Sequence, residues 1–410
     1  MFNLAEEAVP QTQWRQNLVV LWGCTFVAGI AFSEVSPFLA LFISQMGHYS
    51  HQQLNFYSGI VYGISYMVTA FMAPLWGHLA VKRGHRIILL CTAGGMAIIY
   101  ILTGFVNNVW LLFLARAGIG MFSGYIPNAQ ALVAGQVPRE KSGKILGTLL
   151  TGSTSGVLIG PVIGGILAHI FSIRLTFFIT GVLLIIVAIM SWVLVREDYA
   201  PVKTVVHRGK QKGFFQQFSN PKLIMVLLTS TLIVQLGNSS IFPIISLYVK
   251  QLMHGRGAIT VVAGIISALP GISNIMAAPR LGQYGDRHGS GRVLVWGYLF
   301  AVVVYFPQGL FESLIVLGVL RFLVGISDAA LFPTIQTLLT KNSPRAALSS
   351  VFAWNQSFQA LGSMFGALVG GGVAGVFGYN AVFITTACML LINFLILWFT
   401  EPSLRGKKRS

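Results

Sequence analysis

The chain of 410 residues is 55% hydrophobic and only 9% charged, with a mean hydropathy of +0.76 and a net charge of +17 at pH 7. So few charged residues cannot cover the surface of a water-soluble fold of this length, and the composition therefore indicates a membrane protein. The basic residues lie in short gaps between apolar runs, which argues against nucleic acid as a partner. Cys24, Cys91 and Cys388 each lie alone in an apolar run, and we interpret them as buried small hydrophobes.

Apolar stretches of about 20 residues predict membrane-spanning helices, here called spans 1 to 12. In chain order they cover 17–44, 54–80, 87–106, 109–135, 144–169, 175–195, 222–249, 258–280, 293–311, 314–339, 347–376 and 379–399. We expect an all-α polytopic membrane protein with a six-helix bundle at 1–195, a polar linker at 196–220, a second six-helix bundle at 221–400 and a basic tail at 401–410. The first span is too long for a signal-peptide core and lacks a cleavage site, so we expect it to stay in the mature protein.

The two halves repeat the same residues 205 or 206 positions apart. The recurring residues are mainly prolines, glycines and arginines, both in the predicted loops and within the spans. Examples are Pro37 and Pro243, Pro127 and Pro333, Gly84 and Gly289, Arg116 and Arg321, and Arg139 and Arg345. Duplicated bundles of this kind are typical of secondary transporters, whose sites lie near the bilayer midplane between the repeats.

The distribution of basic residues predicts the orientation in the membrane. The two tails and the even-numbered loops hold 22 of the 27 lysines and arginines, and the odd-numbered loops hold only three. Because basic loops stay on the cytoplasmic side, we expect both termini to be cytoplasmic.

Four charged residues fall inside predicted spans: Glu34 in span 1, Arg116 in span 4, and Arg321 and Asp328 in span 10. Each costs roughly 2.5 to 3.5 kcal/mol near the bilayer centre, so we expect these residues to face a wet cavity or one another. Low dielectric favours a neutral carboxyl group and a nearby arginine favours a charged one, which makes Glu34 and Asp328 candidates for proton coupling, with Arg116 beside Glu34. In the alternative interpretation both acids are structural. Glu34 then neutralises Arg116, and Asp328 forms a hydrogen bond with a backbone group left unpaired near Pro333.

Three segments resemble signatures of the major facilitator superfamily. They are the loop from Gly77 to Arg86, the arginine motif around Arg116 and the glycine-proline motif from Gly156 to Gly165. The last is typical of drug:proton antiporters, and with Tyr125 to Gln130 the chain is most similar to MdtG-type and PmrA-type bacterial multidrug (quinolone) exporters. The resemblance implies that conformational change depends on Gly77, Arg83, Gly84, Arg86, Asp286, Arg287, Gly156, Gly160, Pro161 and Gly164.

Two features of these motifs lead to specific expectations. Family members have an acidic latch residue in the first loop where this chain has Val81, whereas the second copy keeps its acid at Asp286. In span 5 the small residues around Pro161 are expected to pack closely against the opposite bundle, with the proline bending the helix.

The resemblance implies a cavity lined by spans 1, 4, 7 and 10, with help from spans 5, 8 and 11. Aromatic and amide side chains there suit bulky amphipathic molecules, which they hold by stacking and adaptable hydrogen bonds. The residues expected to bind substrate are Phe32, Tyr125, Asn128, Gln130, Gln235, Asn238, Phe332, Trp354, Asn355, Gln356, Phe358 and Gln359.

The functional prediction is a proton-coupled exporter of amphipathic drugs, working by alternating access as a monomer in the bacterial cytoplasmic membrane. A lipid or lipid-linked sugar flippase, and a membrane receptor or scaffold that transports nothing, are alternatives. An enzyme is not expected, since Gly152 to Gly156 has Thr where a nucleophile elbow needs Ser, and no phosphate-binding GK[ST] occurs. The eight histidines lack metal-ligand spacing, so neither a metal nor a cofactor is expected beside the proton gradient.

Overall fold

The computed structural model describes residues 11–137, 139–197, 218, 220–344 and 348–400. The chain folds into two compact units, one formed by Met1–Val35 with Phe71–Thr204 and the other by Ser36–Ala70 with Val205–Ser410. The start of predicted span 2 therefore belongs to the second unit. The predicted linker at 196–220 lies outside the described residues except at 196, 197, 218 and 220.

The described part of the chain forms fifteen α-helices and one 3-10 turn at Ser36–Phe38. Twelve helical segments in it are long and apolar enough to cross a membrane, which confirms the predicted number of spans and the all-α class. The helices are α1 (Gln11–Ser33), α2 (Leu39–Ser44), α3 (His51–Arg83), α4 (His85–Gly104), α5 (Val109–Met121), α6 (Tyr125–Gln136), α7 (Arg139–Ile170), α8 (Ile173–Leu194), α9 (Pro221–Ile241), α10 (Ile245–Leu252), α11 (Ile259–His288), α12 (Ser290–Gln308), α13 (Leu314–Lys341), α14 (Leu348–Phe377) and α15 (Tyr379–Thr400).

Three spans contain a helix break that the apolar pattern did not predict. α1 ends at Ser33, α5 gives way to α6 after Met121, and α9 ends shortly before α10. A proline removes a backbone donor and clashes with the carbonyl four residues earlier. Pro37 and Pro243 lie within two of these breaks, and Pro127 lies just after the third. Pro333 lies inside the uninterrupted α13, so a proline alone does not decide whether a span breaks.

The motif segments predicted as loops are mostly ends of helices. α3 continues to Arg83 and α11 continues to His288, and each is followed by a single glycine before the next helix begins. Gly84 has φ of 90° and Gly289 has φ of 96°, a region that glycine enters without steric cost. These two glycines therefore form the tight turns.

In the first unit, α1 and α7 are packed so closely that three glycines of α7 are required. A Cβ atom at Gly156 would overlap the carbonyl oxygen of Phe26, and one at Gly164 would overlap that of Glu34. A Cβ atom at Gly160 would overlap the hydroxyl of Ser33. These three glycines therefore pack against the first span of their own unit, and the expected packing of span 5 against the opposite bundle stays a prediction.

The second unit repeats this contact between α9 and α14. A Cβ atom at Gly362, Gly366 or Gly370 would overlap a carbonyl oxygen of α9. Each of these glycines lies 206 positions after its counterpart in α7, and Ser240, the partner of Gly370, lies 206 positions after Glu34. The repeat in sequence is thus a repeat in helix packing, and Glu34 occupies a position where the second copy has a serine.

The prediction that the three cysteines are buried is confirmed for one of them. Cys24 is buried in the first unit, but Cys91 and Cys388 are exposed on the surfaces of their units. An apolar run in a membrane protein does not indicate burial in protein, because the lipid-facing side of a span is as apolar as its packed side. The prediction for Cys91 and Cys388 is therefore wrong.

Candidate functional site

The four charged residues predicted inside the spans are all buried. Glu34 is 1% exposed, Arg116 4%, Arg321 3% and Asp328 8%. Burial of ionisable groups in membrane spans is costly and rare, and it marks candidate functional positions. The surroundings of the two acids, Glu34 and Asp328, differ.

In the second unit, Asp328 belongs to a hydrogen-bonded group of side chains from three helices. The amide Nδ2 of Asn238, on α9, donates to Oδ1 of Asp328, on α13, at 3.0 Å. The hydroxyl of Tyr305, on α12, donates to Oδ1 of Asn238 at 2.7 Å. Because the amide oxygen can only accept, the bond from Tyr305 keeps the amide nitrogen of Asn238 directed at the carboxylate.

Arg321 supplies the positive charge of this group. It lies two helical turns before Asp328 on α13, where it interacts with the side chain of Tyr305 and attracts the Asp328 carboxylate electrostatically. Its Nε and Nη1 atoms are buried and have no hydrogen-bond partner among the described residues. We refer to Asn238, Tyr305, Arg321 and Asp328 as the Asp328 cluster, which pairs one buried acid with one buried base and two neutral hydrogen-bonding groups.

Sequence reasoning missed Tyr305. The available signal was a tyrosine in the otherwise apolar span 9, but span 9 also contains Tyr298, which binds Asn393 at 2.7 Å and lies outside the cluster. Periodicity could not separate the two tyrosines, since both are fully or almost fully buried. Only the position of α9 relative to α12 shows which hydroxyl reaches Asn238, the residue that donates to Asp328.

In the first unit, Glu34 lies at the point where span 1 breaks. Its backbone N–H donates to the carbonyl of Ile30 at 2.8 Å, which closes the last turn of α1. Its side-chain Oε1 is buried and accepts no hydrogen bond from any residue that the structure describes. Gly164 packs against the backbone of Glu34 and so fixes the position from which the Glu34 side chain extends. The predicted pairing of Glu34 with Arg116 stays a prediction.

Two of the four predicted substrate residues of the first unit, Tyr125 and Asn128, form hydrogen bonds within the protein. The hydroxyls of Tyr125 and Ser191 lie 2.7 Å apart. Nδ2 of Asn128 donates to the carbonyl of Gly124 at 2.7 Å, across the break in span 4. Tyr125 and Asn128 are buried, whereas Phe32 and Gln130 are half-buried.

In the second unit, two of the predicted amides, Gln235 and Asn355, join one helix to another. Gln235 donates to Ser363 at 2.9 Å, and Thr231 donates to Asn355 at 2.8 Å, so both pairs join α9 to α14. Asn238 is the predicted substrate residue that also belongs to the Asp328 cluster. Of the remaining set, Phe332, Phe358 and Gln359 are half-buried, and Trp354 and Gln356 are exposed.

The first motif segment is bound by an acid from another part of the chain, Glu197, to which sequence reasoning assigned no role. The carboxylate of Glu197, just after α8, accepts hydrogen bonds from the backbone N–H groups of His85 at 2.8 Å and Arg86 at 2.7 Å. These are the first residues of α4, where unpaired donors and the helix dipole favour an anion. The guanidinium of Arg86 also donates to the carbonyl of Trp192. Glu197 therefore fixes the end of α8 to the start of α4.

The other predicted motif residues differ in exposure where the structure describes them. Gly77, Arg83 and Arg287 are exposed, and Gly84 is buried at its turn. The side chains of Val81 and Asp286 lie outside the described residues. Pro161 lies inside α7 between two of the glycines that contact α1.

Twelve spans, a repeat that extends to the packing of α1 on α7 and of α9 on α14, and acids buried in the spans define a duplicated all-α polytopic membrane protein. The family model described as Major Facilitator Superfamily matches residues 21–307 and 227–410. The chain belongs to this family, as its resemblance implied. The family consists of membrane transporters and not enzymes, which confirms that prediction as well.

Similar proteins extend over nearly the whole chain. The multidrug resistance protein MdtG of Yersinia enterocolitica is 43% identical over 390 residues, which covers 95% of this chain and 94% of the relative. The protein of the same name from Escherichia fergusonii is 40% identical over 398 residues, covering 96% and 97%.

Solved structures agree in fold at much lower identity. A bacterial homolog of the human lysosomal transporter Spinster, inward-facing and unoccupied, matches with a TM-score of 0.78 at 15% identity, covering 98% of this chain and 100% of that one. The nucleoside transporter NupG matches with a TM-score of 0.75 at 12% identity, covering 97% and 100%. These similarities confirm the predicted major facilitator fold.

Proposed function

We propose that this protein is a proton-coupled exporter of amphipathic small molecules in the bacterial inner membrane, working by alternating access. The observation that carries the proposal is the Asp328 cluster, an acid buried in a membrane span and held by an amide donor and a nearby arginine. The names of the MdtG relatives, which are called multidrug resistance proteins, support export of more than one substrate.

The cluster can serve both protonation states of Asp328. When the carboxyl group is ionised, Asn238 donates to it and Arg321 stabilises its charge. When the carboxyl group takes up a proton it becomes neutral, and burial in a low-dielectric span does not disfavour this form. The positive charge of Arg321 then has no counter-charge in the cluster and repels a cationic substrate. Proton binding and binding of a cation are therefore expected to compete at Asp328. Inward proton movement then drives outward release.

Glu34 provides a second acid of different character. Its Oε1 accepts no hydrogen bond in the part of the chain that the structure describes, so its charged form lacks the support that Asn238 gives to Asp328. We propose that Glu34 is neutral for more of the cycle and exchanges its proton when its surroundings become wet. Arg116 is proposed to assist in that exchange.

Substrate contacts are proposed for the half-buried members of the predicted set, which keep side-chain surface available. Their mixture of aromatic rings and amides allows stacking and variable hydrogen bonding, as binding of several amphipathic molecules requires. These residues are Phe32, Gln130, Gln235, Asn238, Phe332, Phe358 and Gln359. We further propose that both termini are cytoplasmic and that the protein acts as a monomer without a cofactor.

Transport in proteoliposomes with an imposed pH gradient tests the proposal. A fluorescent lipophilic cation should be expelled by the wild-type protein and should collapse the gradient when added. Asp328→Asn is expected to abolish this coupling, and Glu34→Gln to reduce it by about tenfold, the equivalent of about 1.4 kcal/mol. Glu312→Gln is the matched control, because Glu312 is an acid engaged with Asn380 outside the spans.

Two outcomes would contradict the proposal. Full gradient-driven export by the Glu34→Gln, Asp328→Asn double variant would show that neither acid couples transport to protons. Movement of labelled phospholipid between leaflets, without expulsion of the cation, would favour a flippase on the same fold.

A further inference from the structure

The second unit contains an apolar cavity of about 360 Å³ between α11, α12 and α13. Most of its walls are aliphatic or aromatic side chains, which suit a hydrocarbon ligand. They include Leu281 and Tyr284 from α11, Trp296 and Phe300 from α12, and Ile326 and Ala330 from α13. None of these residues belongs to the Asp328 cluster or to the predicted substrate set.

The cavity opens at the surface of the unit and not in its core. Trp296 is 68% exposed and Tyr284 is 49% exposed, although both are large and aromatic. Tryptophan and tyrosine are enriched where a membrane protein meets the headgroup region, because their rings are amphipathic. The exposed side of the cavity therefore faces lipid at the depth of an interface.

The depth of the cavity, measured along the helices from their ends, corresponds to the thickness of one leaflet of the bilayer. Trp296 lies six residues from the start of α12 at Ser290, or about 9 Å at 1.5 Å per residue. Ala330 lies eleven residues from the end of α13 at Lys341, or about 17 Å. Since half of the hydrocarbon core is about 15 Å thick, the cavity extends over the depth that an acyl chain occupies.

Exposed arginines share helix faces with the aromatic residues of the cavity. Arg280 lies one helical turn before Tyr284 on α11, and Arg292 lies one turn before Trp296 on α12. Arg280, Arg287 and Arg292 are all exposed, and we refer to them as the basic rim; Nη1 of Arg280 donates to the carbonyl of Met276 at 3.4 Å. The stretch from Arg280 to Arg292 holds these three arginines and one acid, Asp286. The ring of His288 is stacked on Tyr284 with centroids 4.2 Å apart, and the positive φ of Gly289 turns the chain so that α12 starts beside this end of α11. A basic pocket between spans at a membrane surface is suited to an anionic lipid headgroup.

We propose that this cavity binds an anionic phospholipid, with one acyl chain between Trp296 and Ile326 and the phosphate at Arg280 and Arg292. The charge of the rim selects this occupant over a cationic amphipath, which the arginines would repel. A zwitterionic lipid presents the same acyl chains but a compensated charge, so it should bind more weakly. The proposal does not depend on the direction or coupling of transport.

Native mass spectrometry of the purified full-length protein in detergent provides the test. Phosphatidylglycerol and phosphatidylcholine with identical acyl chains are added in equal amounts, and the retained lipid is counted. We expect a preference of at least about fivefold for phosphatidylglycerol, and a loss of about fivefold in that preference for each of Arg280→Gln and Arg292→Gln, the effect expected of one basic residue at an anionic surface. Arg256→Gln is the matched control, an exposed arginine in the turn between α10 and α11.

A variant that fills the cavity separates binding from folding. Ile326→Phe adds volume at a half-buried wall of an existing cavity, so retention of both lipids should fall while the melting temperature is unchanged or higher. Equal retention of the two lipids, or a preference that survives both arginine substitutions, would overturn the proposal. Displacement of the lipid by tetraphenylphosphonium would also overturn it, since the cavity would then be a site for cationic substrates.

Discussion

At the scale of single residues, the function depends on how a buried acid is supported. Asp328 receives a hydrogen bond from Asn238, whose orientation is set by Tyr305, whereas Oε1 of Glu34 accepts no hydrogen bond within the described residues. Neutral hydrogen bonds contribute about 0.5 to 1.5 kcal/mol each, and those to a charged group about 1.5 to 3 kcal/mol. Tyr305 therefore influences Asp328 through Asn238 and is a positioning residue.

Substitution of Tyr305 by phenylalanine tests this role. Removal of the hydroxyl frees the Asn238 amide to rotate, so we expect gradient-driven export to fall by about tenfold, the equivalent of about 1.4 kcal/mol. Combined with Asp328→Asn, the substitution should have no further effect on coupling, because its influence passes through that carboxylate. The measurement is initial export rate in proteoliposomes at fixed pH gradient.

Tyr298→Phe is the control for this prediction. Tyr298 is a second buried tyrosine of α12, and its hydroxyl binds Asn393 and lies outside the Asp328 cluster. It should lower thermal stability to a similar extent and leave coupling intact. Equal loss of coupling in both variants would mean that Tyr305 acts only through the stability of α12.

At the scale of helices, the closest packing occurs where small residues face a backbone. α7 contacts α1 through Gly156, Gly160 and Gly164, and the last of these lies against Glu34. Lipid offers no hydrophobic drive for helices to associate, so close backbone approach through small residues supplies the attraction instead. The same contact that holds α1 on α7 therefore also places the carboxyl group of Glu34.

Gly164→Ala should displace Glu34 without removing it. The new methyl group would overlap the Glu34 backbone, at a cost of about 1 to 3 kcal/mol for overpacking. We expect a lower melting temperature together with loss of coupled export. Gly147→Ala on the same helix is the control, because a Cβ atom there meets nothing within 4 Å. If both alanine variants behave like the wild-type protein, α7 does not position Glu34.

At the scale of the whole molecule, charge in the loops and apolarity in the spans predict one orientation in the membrane. Cysteine labelling of intact cells measures it, in a background where Cys24, Cys91 and Cys388 are replaced. Arg256→Cys should react with a membrane-impermeant thiol reagent, because it lies in an odd-numbered loop. His288→Cys should react only after permeabilisation. The reverse pattern would place both termini outside the cytoplasm.

The sequence predicted the features that depend on composition and repetition. The low number of charged residues and the long apolar runs show that the chain folds in a lipid bilayer. Twelve of these runs are long enough to cross it, which predicts the number of spans. The 205- and 206-residue repeat and the motifs around Gly77, Arg116 and Pro161 were sufficient to recognise the family. These properties are local along the chain, so they can be read without knowing which helices meet.

Tertiary structure alone decided which side chains meet. The bonds among Tyr305, Asn238 and Asp328, the attachment of Glu197 to the start of α4, and the packing of Gly164 on Glu34 each depend on the rotation and depth of separate helices. In a soluble helix the apolar face reveals that rotation, but in a membrane span the lipid-facing and packed sides are equally apolar. The pattern that identified the spans therefore contained little information about how they face one another.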